Sequence, residues 1–287
     1  MTQTQGNPRL IVNADDLGWS EGVTEGILQA HRQGIVTSST LAANMPAAAG
    51  AITLSRNFPE LGVGLHLNVC QGPALSSRGR AELAGADGQM NHSGLGLIKL
   101  ALLRPRRMLP AIQEEFAAQI EFALSMGLKP THLDSHRHVH AWPPIFRLVM
   151  VLAQRYDIAF VRRHREALPA GMPPAPAGQR RLSRVLNFLG GRCHRLAPRL
   201  QPTLGTLGVA HTGAIDAAAL LAVIAALPEG LSELMVHPGL PEGLQAGQTR
   251  LLASREAELR ALCDADVRAA ISRHRVVLTH YGKLRRE

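Results

Sequence analysis

Short strand-like segments alternate along this chain with segments of helical periodicity, and this alternation limits the folds that the sequence can adopt. Residues 9–16 form the first apolar run, and Val23, Ile27 and Ala30 follow it at helical spacing after Ser20. Later strand-like runs span residues 35–44, 63–68, 129–136, 158–162, 233–237 and 275–280. Strands that alternate with helices are typical of a parallel sheet covered by helices, so the sequence predicts an α/β fold.

Length and composition favour a single domain. The chain has 287 residues and is 46% hydrophobic, and barrel folds of this length are commonly one unit. We expect one domain over residues 1–287, with a basic and partly amphipathic insertion near residues 167–202. Cys70, Cys193 and Cys263 are far apart in the sequence, which predicts reduced thiols and not a disulfide framework.

The sequence predicts a cytoplasmic protein. Residues 1–10 contain no apolar stretch of the kind found in secretory signals. The longest apolar run, residues 217–227, is shorter than the ~18 residues that a membrane-spanning helix needs. The oligomeric state is not indicated.

Basic residues are concentrated in the middle of the chain. The net charge is +9, and residues 88–200 carry 17 Lys and Arg against 6 Asp and Glu. Between Glu166 and Asp216 there are six Arg and no carboxylate. This region predicts an anionic partner, which could be lipid, nucleic acid or an acidic substrate. With 3% aromatic residues and no recognition motif, we expect no nucleic-acid partner.

Polar side chains fall at or just past the carboxyl ends of four predicted strands. They are Asp15 and Asp16, His66 and Asn68, Asp134 and His136, and His237. In β/α barrels this end of the strands carries the active site. A lone Asp there more often caps the next helix, and a lone His more often packs in the core. The convergence of four segments favours an active site.

The Asp15–Asp16 pair and the histidine-rich run at residues 131–140 together predict a metal centre. A cation would offset the repulsion of adjacent carboxylates, and imidazole is a common ligand of first-row metals. In an extended run, every second side chain from His132 to His140 would share a side. If the run turns helical after Ser135, His136 and His140 become neighbours. Not all five polar side chains can be ligands, and Asp134 is a candidate to orient a ligand histidine.

An Asp with two His would form a three-ligand site with open positions, which is more often catalytic than structural. Such a site activates water for attack on a carbonyl or a phosphoryl group, and the residues alone do not choose between them. His237, which precedes a Pro-Gly turn, is a candidate general acid near the metal.

Five motifs resemble those of the YdjC-like carbohydrate deacetylases. They are "IVNADDLG" (11–18), "GIVTSSTLAAN" (34–44), "GLHLN" (64–68), "PTHLDSHRHVH" (130–140) and "ELMVHPG" (233–239). The resemblance implies an irregular (β/α) barrel of the glycoside hydrolase and deacetylase type. It also implies one divalent metal ion, zinc or magnesium, and removal of the N-acetyl group from an amino sugar.

The same resemblance implies roles for individual residues. Asp16, His66 and His136 would hold the metal. Asp15 would be the general base that activates water, and His237 the acid that protonates the departing amine. Further residues are expected to bind substrate or support the ligands, namely Asn68, Asp134, His138 and Arg162.

The basic middle of the chain resembles the hopanoid-biosynthesis-associated deacetylases of the family, which implies an N-acetylglucosamine head group on a hopanoid lipid. Residues 95–109 and 180–196 both combine apolar residues with Arg. The second segment fits either an ordinary core-facing helix or an interfacial helix that approaches anionic lipid. The latter predicts peripheral contact with the inner face of the membrane.

Three other functions remain open at this point. A deacetylase of a soluble chitooligosaccharide would use the same residues. A metal-dependent phosphoesterase could clamp phosphate with Arg162, Arg163 and Arg165. A sugar or lipid carrier without chemistry is disfavoured, because a binding protein needs no base beside a metal.

Overall fold

The computed structural model describes residues 6–244 and 249–284, so residues 1–5, 245–248 and 285–287 of the predicted domain lie outside the described residues. Its strands are β1 (Pro8–Leu17), β2 (Ser38–Leu41), β3 (Gly62–Leu67), β4 (Gln71–Pro73), β5 (Gln89–Asn91), β6 (His132–Ser135), β7 (Phe160–Val161), β8 (Thr206–Leu207), β9 (Gly230–Val236) and β10 (Val277–Thr279). Its α-helices are α1 (Glu21–Gln33), α2 (Ala48–Ser55), α3 (Ser77–Glu82), α4 (Gly94–Leu103), α5 (Pro105–Ser125), α6 (Pro143–Arg155), α7 (Ala177–Leu196), α8 (Ala217–Ala225), α9 (Leu252–Leu262) and α10 (Ala265–Arg273).

One curled, parallel sheet organises the fold and confirms the predicted α/β class. Its order is β7-β6-β3-β2-β1-β9-β8, and every pairing in it is parallel. The short β10 pairs with the first residues of β1, on the side where β2 pairs further along. Because β7 and β8 are the two edges, the sheet is an irregular, open barrel.

Strand β1 lies inside the sheet, and both of its faces are buried. Leu10, Val12 and Ala14 contact the main hydrophobic core beneath the helices. Ile11 points the other way and joins a small apolar cluster that includes Tyr281. A strand buried on both faces has the continuous apolar run seen here, as is typical of parallel sheets.

Helix boundaries follow local capping chemistry in some places and depart from prediction in others. Ser20 caps α1 by accepting a hydrogen bond from the Val23 backbone amide, and Gly34 follows its last residue, as predicted. Residues 72–95 are Gly-rich and polar, which predicts a loop; this prediction is wrong, since the segment contains α3 and the antiparallel β4–β5 pair. The sequence of residues 254–271 also predicts one helix, and this is wrong, because α9 ends at Leu262 and Asp264 caps α10.

No α-helix within residues 6–244 and 249–284 has both the length and the apolar character that a membrane crossing requires.

Candidate active site

The carboxyl end of β1 turns two adjacent carboxylates toward one histidine. Asp16 has a left-handed backbone (φ 73°), and the pairing with β2 shifts register between Ala14 and Leu17. Consecutive side chains of a regular strand point to opposite faces. Here the Oδ2 atom of Asp15 lies 4.0 Å from His66 Nδ1, and Oδ1 of Asp16 lies 3.5 Å from His66 Nε2.

Asp16, His66 and His136 form a group that fits a divalent cation. One carboxylate oxygen and one nitrogen from each imidazole lie within 4.8 Å of one another. The Oδ1 atom of Asp16 is buried without a hydrogen-bond partner in the part of the chain that the structure describes, and it lies 3.5 Å from the Nδ1 atom of His136. Burial of an unpartnered carboxylate oxygen is costly, so this atom is placed as a ligand would be.

Asp134 orients His66 within this group. Its Oδ1 atom lies 2.7 Å from His66 Nδ1, which leaves Nε2 directed toward Asp16. A carboxylate bonded to the far nitrogen of a histidine is the usual support for a metal-ligating imidazole. Asp134, His66 and Asp15 also lie close enough to hold an ion. That alternative is less suitable, because Arg162 already pairs with both carboxylates.

Arg162 is the centre of a buried ionic network. It has no exposed surface, and it forms a bidentate pair with Asp15 at 2.6 and 2.8 Å. Its Nη1 atom lies 2.7 Å from Asp134, and its Nε donates to Glu233 at 2.8 Å. The hydroxyl group of Tyr281 donates to the other oxygen of Glu233. The sequence indicated Arg162 as a substrate or support residue, and in the structure its guanidinium contacts these protein carboxylates.

Different arginines lower the pKa values of the two aspartates. Burial opposes ionisation of both, but the Arg162 guanidinium holds the pKa of Asp15 below its ordinary value, and Arg255 does the same for Asp16. Burial likewise opposes the charge of His66, but Asp134 outweighs it and raises the pKa of His66 to about 9. Both carboxylates are therefore ionised at neutral pH.

His237 follows the carboxyl end of β9 and is buried beside the same group. Burial lowers its pKa to about 4, and its Nδ1 atom has no hydrogen-bond partner among the described residues. Its backbone amide donates to Glu258 at 2.8 Å. Burial also raises the pKa of Glu258 to about 8, so this carboxyl group is protonated at neutral pH.

Two of the predicted supporting residues contact protein groups. The Asn68 amide donates to Asn44 and to the Gln71 carbonyl, and its oxygen accepts from the backbone that follows it. His138 packs edge to face on His164 with the ring centroids 4.8 Å apart. Their roles toward a substrate remain predictions.

The histidine-rich run follows neither predicted geometry. After β6 the chain enters a short 3-10 segment, His136–Ala141, in which Arg137 and His138 have left-handed backbones. His136 therefore reaches the metal-binding group. His140 instead bonds to Ser135, and His132 stacks on Tyr281.

Sequence analysis missed Glu233, Arg255 and Glu258. Glu233 is a charged residue within an apolar strand, which was an available signal. Arg255 and Glu258 share the buried face of α9 with Leu259 and Leu262, and charges at core spacing were the only indication.

The chain matches the YdjC-like protein family over residues 9–273. It belongs to this family. A carbohydrate deacetylase of Geobacillus stearothermophilus is 45% identical over 163 residues, which is 57% of this chain and 62% of that protein. A carbohydrate deacetylase of Vibrio cholerae serotype O1 is 31% identical over 279 residues, which is 96% of each chain.

The alignments with several relatives, including that of Geobacillus stearothermophilus, cover about 60% of the relatives' length. A crystal structure from Enterococcus faecalis V583, provisionally described as a cellobiose-phosphate cleavage protein, superposes with a TM-score of 0.79 and 24% identity. It covers 96% of this chain and 98% of that one, and it confirms the fold.

Proposed function

We propose that this protein is a metal-dependent carbohydrate N-deacetylase. The observation that carries the proposal is the unpartnered, buried oxygen of Asp16 beside two imidazoles, with the ionised Asp15 next to it. The curated relatives described as carbohydrate deacetylases support the same activity. Asp16, His66 and His136 would hold the cation; the mixed donor set suits zinc better, whereas the family resemblance allows magnesium.

Each remaining residue has a task in amide hydrolysis. A divalent cation, when bound, supplies positive charge that polarises a carbonyl group. Asp15 accepts a proton from the attacking water, and its bidentate pair with Arg162 fixes the direction of the carboxylate. The proton that Asp15 takes from water passes on to His237, and because the pKa of His237 is about 4, this imidazole gives it readily to the departing nitrogen. Water oxygen joins the acetyl carbon, the amide C–N bond breaks, and acetate and a free amine leave.

For the substrate, we propose a lipid-linked amino sugar, the N-acetylglucosamine head group of a hopanoid, reached by a cytoplasmic enzyme at the inner face of the membrane. The likeness of the basic middle of the chain to hopanoid-associated members supports this choice. A soluble chitooligosaccharide is the alternative. A phosphoesterase is disfavoured, because the guanidinium of Arg162 is engaged by Asp15, Asp134 and Glu233.

The decisive experiment measures acetate and phosphate release side by side. Enzyme stripped with a chelator, and then supplied with zinc or magnesium, is incubated with an N-acetylglucosaminyl hopanoid, N,N′-diacetylchitobiose and an aryl phosphate. We expect cation-dependent acetate release, greatest with the lipid. Turnover of chitobiose alone would contradict the lipid substrate, and phosphate release without acetate would contradict deacetylation.

A further inference from the structure

Two helices near the candidate active site expose apolar and basic side chains together. Of the fourteen large apolar side chains that are exposed among the described residues, seven lie on α4 and α7. They are Leu95, Leu102 and Leu103 on α4, and Leu182, Val185, Phe188 and Leu196 on α7. Single exposed apolar residues are ordinary, but a concentration of them marks an interaction surface.

Helix α7 has one buried face and one exposed face. Leu186 and Cys193 lie on the buried face. Val185 and Phe188 are 55% and 62% exposed on the other side. The guanidinium of Arg192 lies 3.9 Å from the centre of the Phe188 ring. The outward face of α7 therefore carries exposed apolar side chains with cationic side chains beside them.

The charge of this surface is not compensated by neighbouring residues. Residues 167–215 contain six Arg and no carboxylate. All six are exposed, and none of them forms an ion pair with a described residue. Like charges oppose a symmetric contact between two copies of this face, and a soluble polyanion would leave the exposed apolar side chains in water. Anionic lipid satisfies both the arginines and the apolar side chains.

Both helices contact the segment that begins at His136. The Sγ atom of Cys193 lies 3.2 Å from the Ala141 carbonyl oxygen. At the other helix, Gly94 lies against the backbone and Cβ of Arg137. Near the middle of α7, Gly190 packs on His164 so closely that a Cβ atom would clash with the His164 carbonyl.

We propose that the exposed faces of α4 and α7 dock this protein on an anionic lipid bilayer, beside the entrance to the active site. This deepens the proposed function and rests on it for the orientation of the active site toward lipid head groups. The docking itself depends only on the exposed side chains.

Vesicle co-sedimentation of the full chain tests the proposal. Binding to phosphatidylcholine vesicles is compared with binding to vesicles that also contain phosphatidylglycerol, at low and high salt. We expect binding only with phosphatidylglycerol and a loss at high salt. The double variant Arg181→Gln/Arg184→Gln should bind about 30-fold more weakly. The double variant Val185→Ser/Phe188→Ser should bind roughly tenfold more weakly.

Control variants carry changes of the same kind elsewhere on the surface. Arg268→Gln/Arg273→Gln removes two exposed charges from α10, and Leu54→Ser removes an exposed apolar side chain from α2. Circular dichroism confirms folding of each variant. Absence of phosphatidylglycerol-dependent binding, or equal losses in α7 and control variants, would overturn the proposal. So would a change of oligomeric state confined to the α7 variants, since it would assign the face to a second copy.

Acetate release from diacetylchitobiose is measured on the same samples and separates the two proposals. An enzyme that releases acetate without binding vesicles contradicts docking alone. A protein that binds vesicles, but releases acetate from neither chitobiose nor the hopanoid, contradicts the proposed function alone.

Discussion

The two adjacent aspartates differ in how fully protein groups satisfy their carboxylate oxygens. Around Asp15, Arg162 distributes its donors over three carboxylates, and each oxygen of Asp15 has a partner. Around Asp16, one oxygen accepts from Arg255, but the other oxygen has no partner among the described residues, nor do the Nε and Nη1 atoms of Arg255. The first environment is completed by protein partners. The second has buried polar atoms for which the described residues supply no partner.

The strongest test of this comparison removes Arg162. Arg162→Met should leave three buried carboxylates without their shared cation, and it should destabilise the fold by about 3–5 kcal/mol. Urea unfolding measures the loss. The exposed Arg260, which pairs with Glu256 at 3.0 Å, offers the control Arg260→Met, for which we expect less than about 1 kcal/mol. A loss for Arg162→Met as small as the control would contradict the network.

The second test separates the tasks of the two aspartates. Asp15→Asn should lower kcat for deacetylation by about 10²–10⁴-fold, because the proton acceptor is lost. Cation affinity, measured by titration calorimetry, should change little. Asp16→Asn should weaken cation binding itself. If Asp15→Asn keeps the rate, Asp15 is not the base.

The third test concerns the protonated carboxyl of Glu258, which faces Arg255, the His237 backbone and the more distant Asp15. Its folded pKa of about 8 lies above the ordinary value of 4.5. Stability from this group is therefore complete below pH 4.5 and is lost as the pH rises through 8. One pKa unit corresponds to about 1.4 kcal/mol. Because the structure relaxes around the charged group, we expect the free energy of unfolding to decline by about 2–4 kcal/mol over this pH range.

Glu258→Gln should flatten this dependence, since the amide does not titrate. Urea unfolding measures this pH dependence for both proteins between pH 5 and pH 8, where the free energy of unfolding is expected to change. Parallel stability curves for the two proteins would show that Glu258 is ionised in the fold.

The smallest expected effect comes from a substitution that keeps charge but changes shape. Arg255→Lys retains a cation beside Asp16, but its shorter side chain loses the Nη2 contact with the Asp16 Oδ2 atom. We expect cation affinity to fall about tenfold, with activity restored by added cation. Arg260→Lys is the control. Unchanged affinity for Arg255→Lys would mean that Asp16 is positioned by its backbone alone.

The residues that sequence analysis identified are those whose signals are local. The strand ends at Asp15, His66 and His136 each combine a polar residue with an apolar run, and parallel strands bring such ends together. The left-handed backbone at Arg137 and His138 could not be predicted, because tertiary packing imposes it. The same applies to the partners of Arg162, which come from three separate strands.

The most distant contact was the least predictable. Asp16 and Arg255 are 239 residues apart, and Arg255 lies on a helix whose boundaries were predicted incorrectly. Nothing in the periodicity of α9 indicates which strand end its charged residue reaches.

The Asp16–Arg255 pair also limits which substitutions can be accepted at this site during evolution. A lineage that no longer needs the cation cannot simply discard Asp16, because Arg255 would be left buried and unpaired. Asn at position 16 keeps an oxygen for Arg255 and tolerates the left-handed backbone. We expect inactive descendants to carry Asn at position 16, or to change positions 16 and 255 together. Loss of the activity would then be visible in the sequence at two positions that are far apart in the chain.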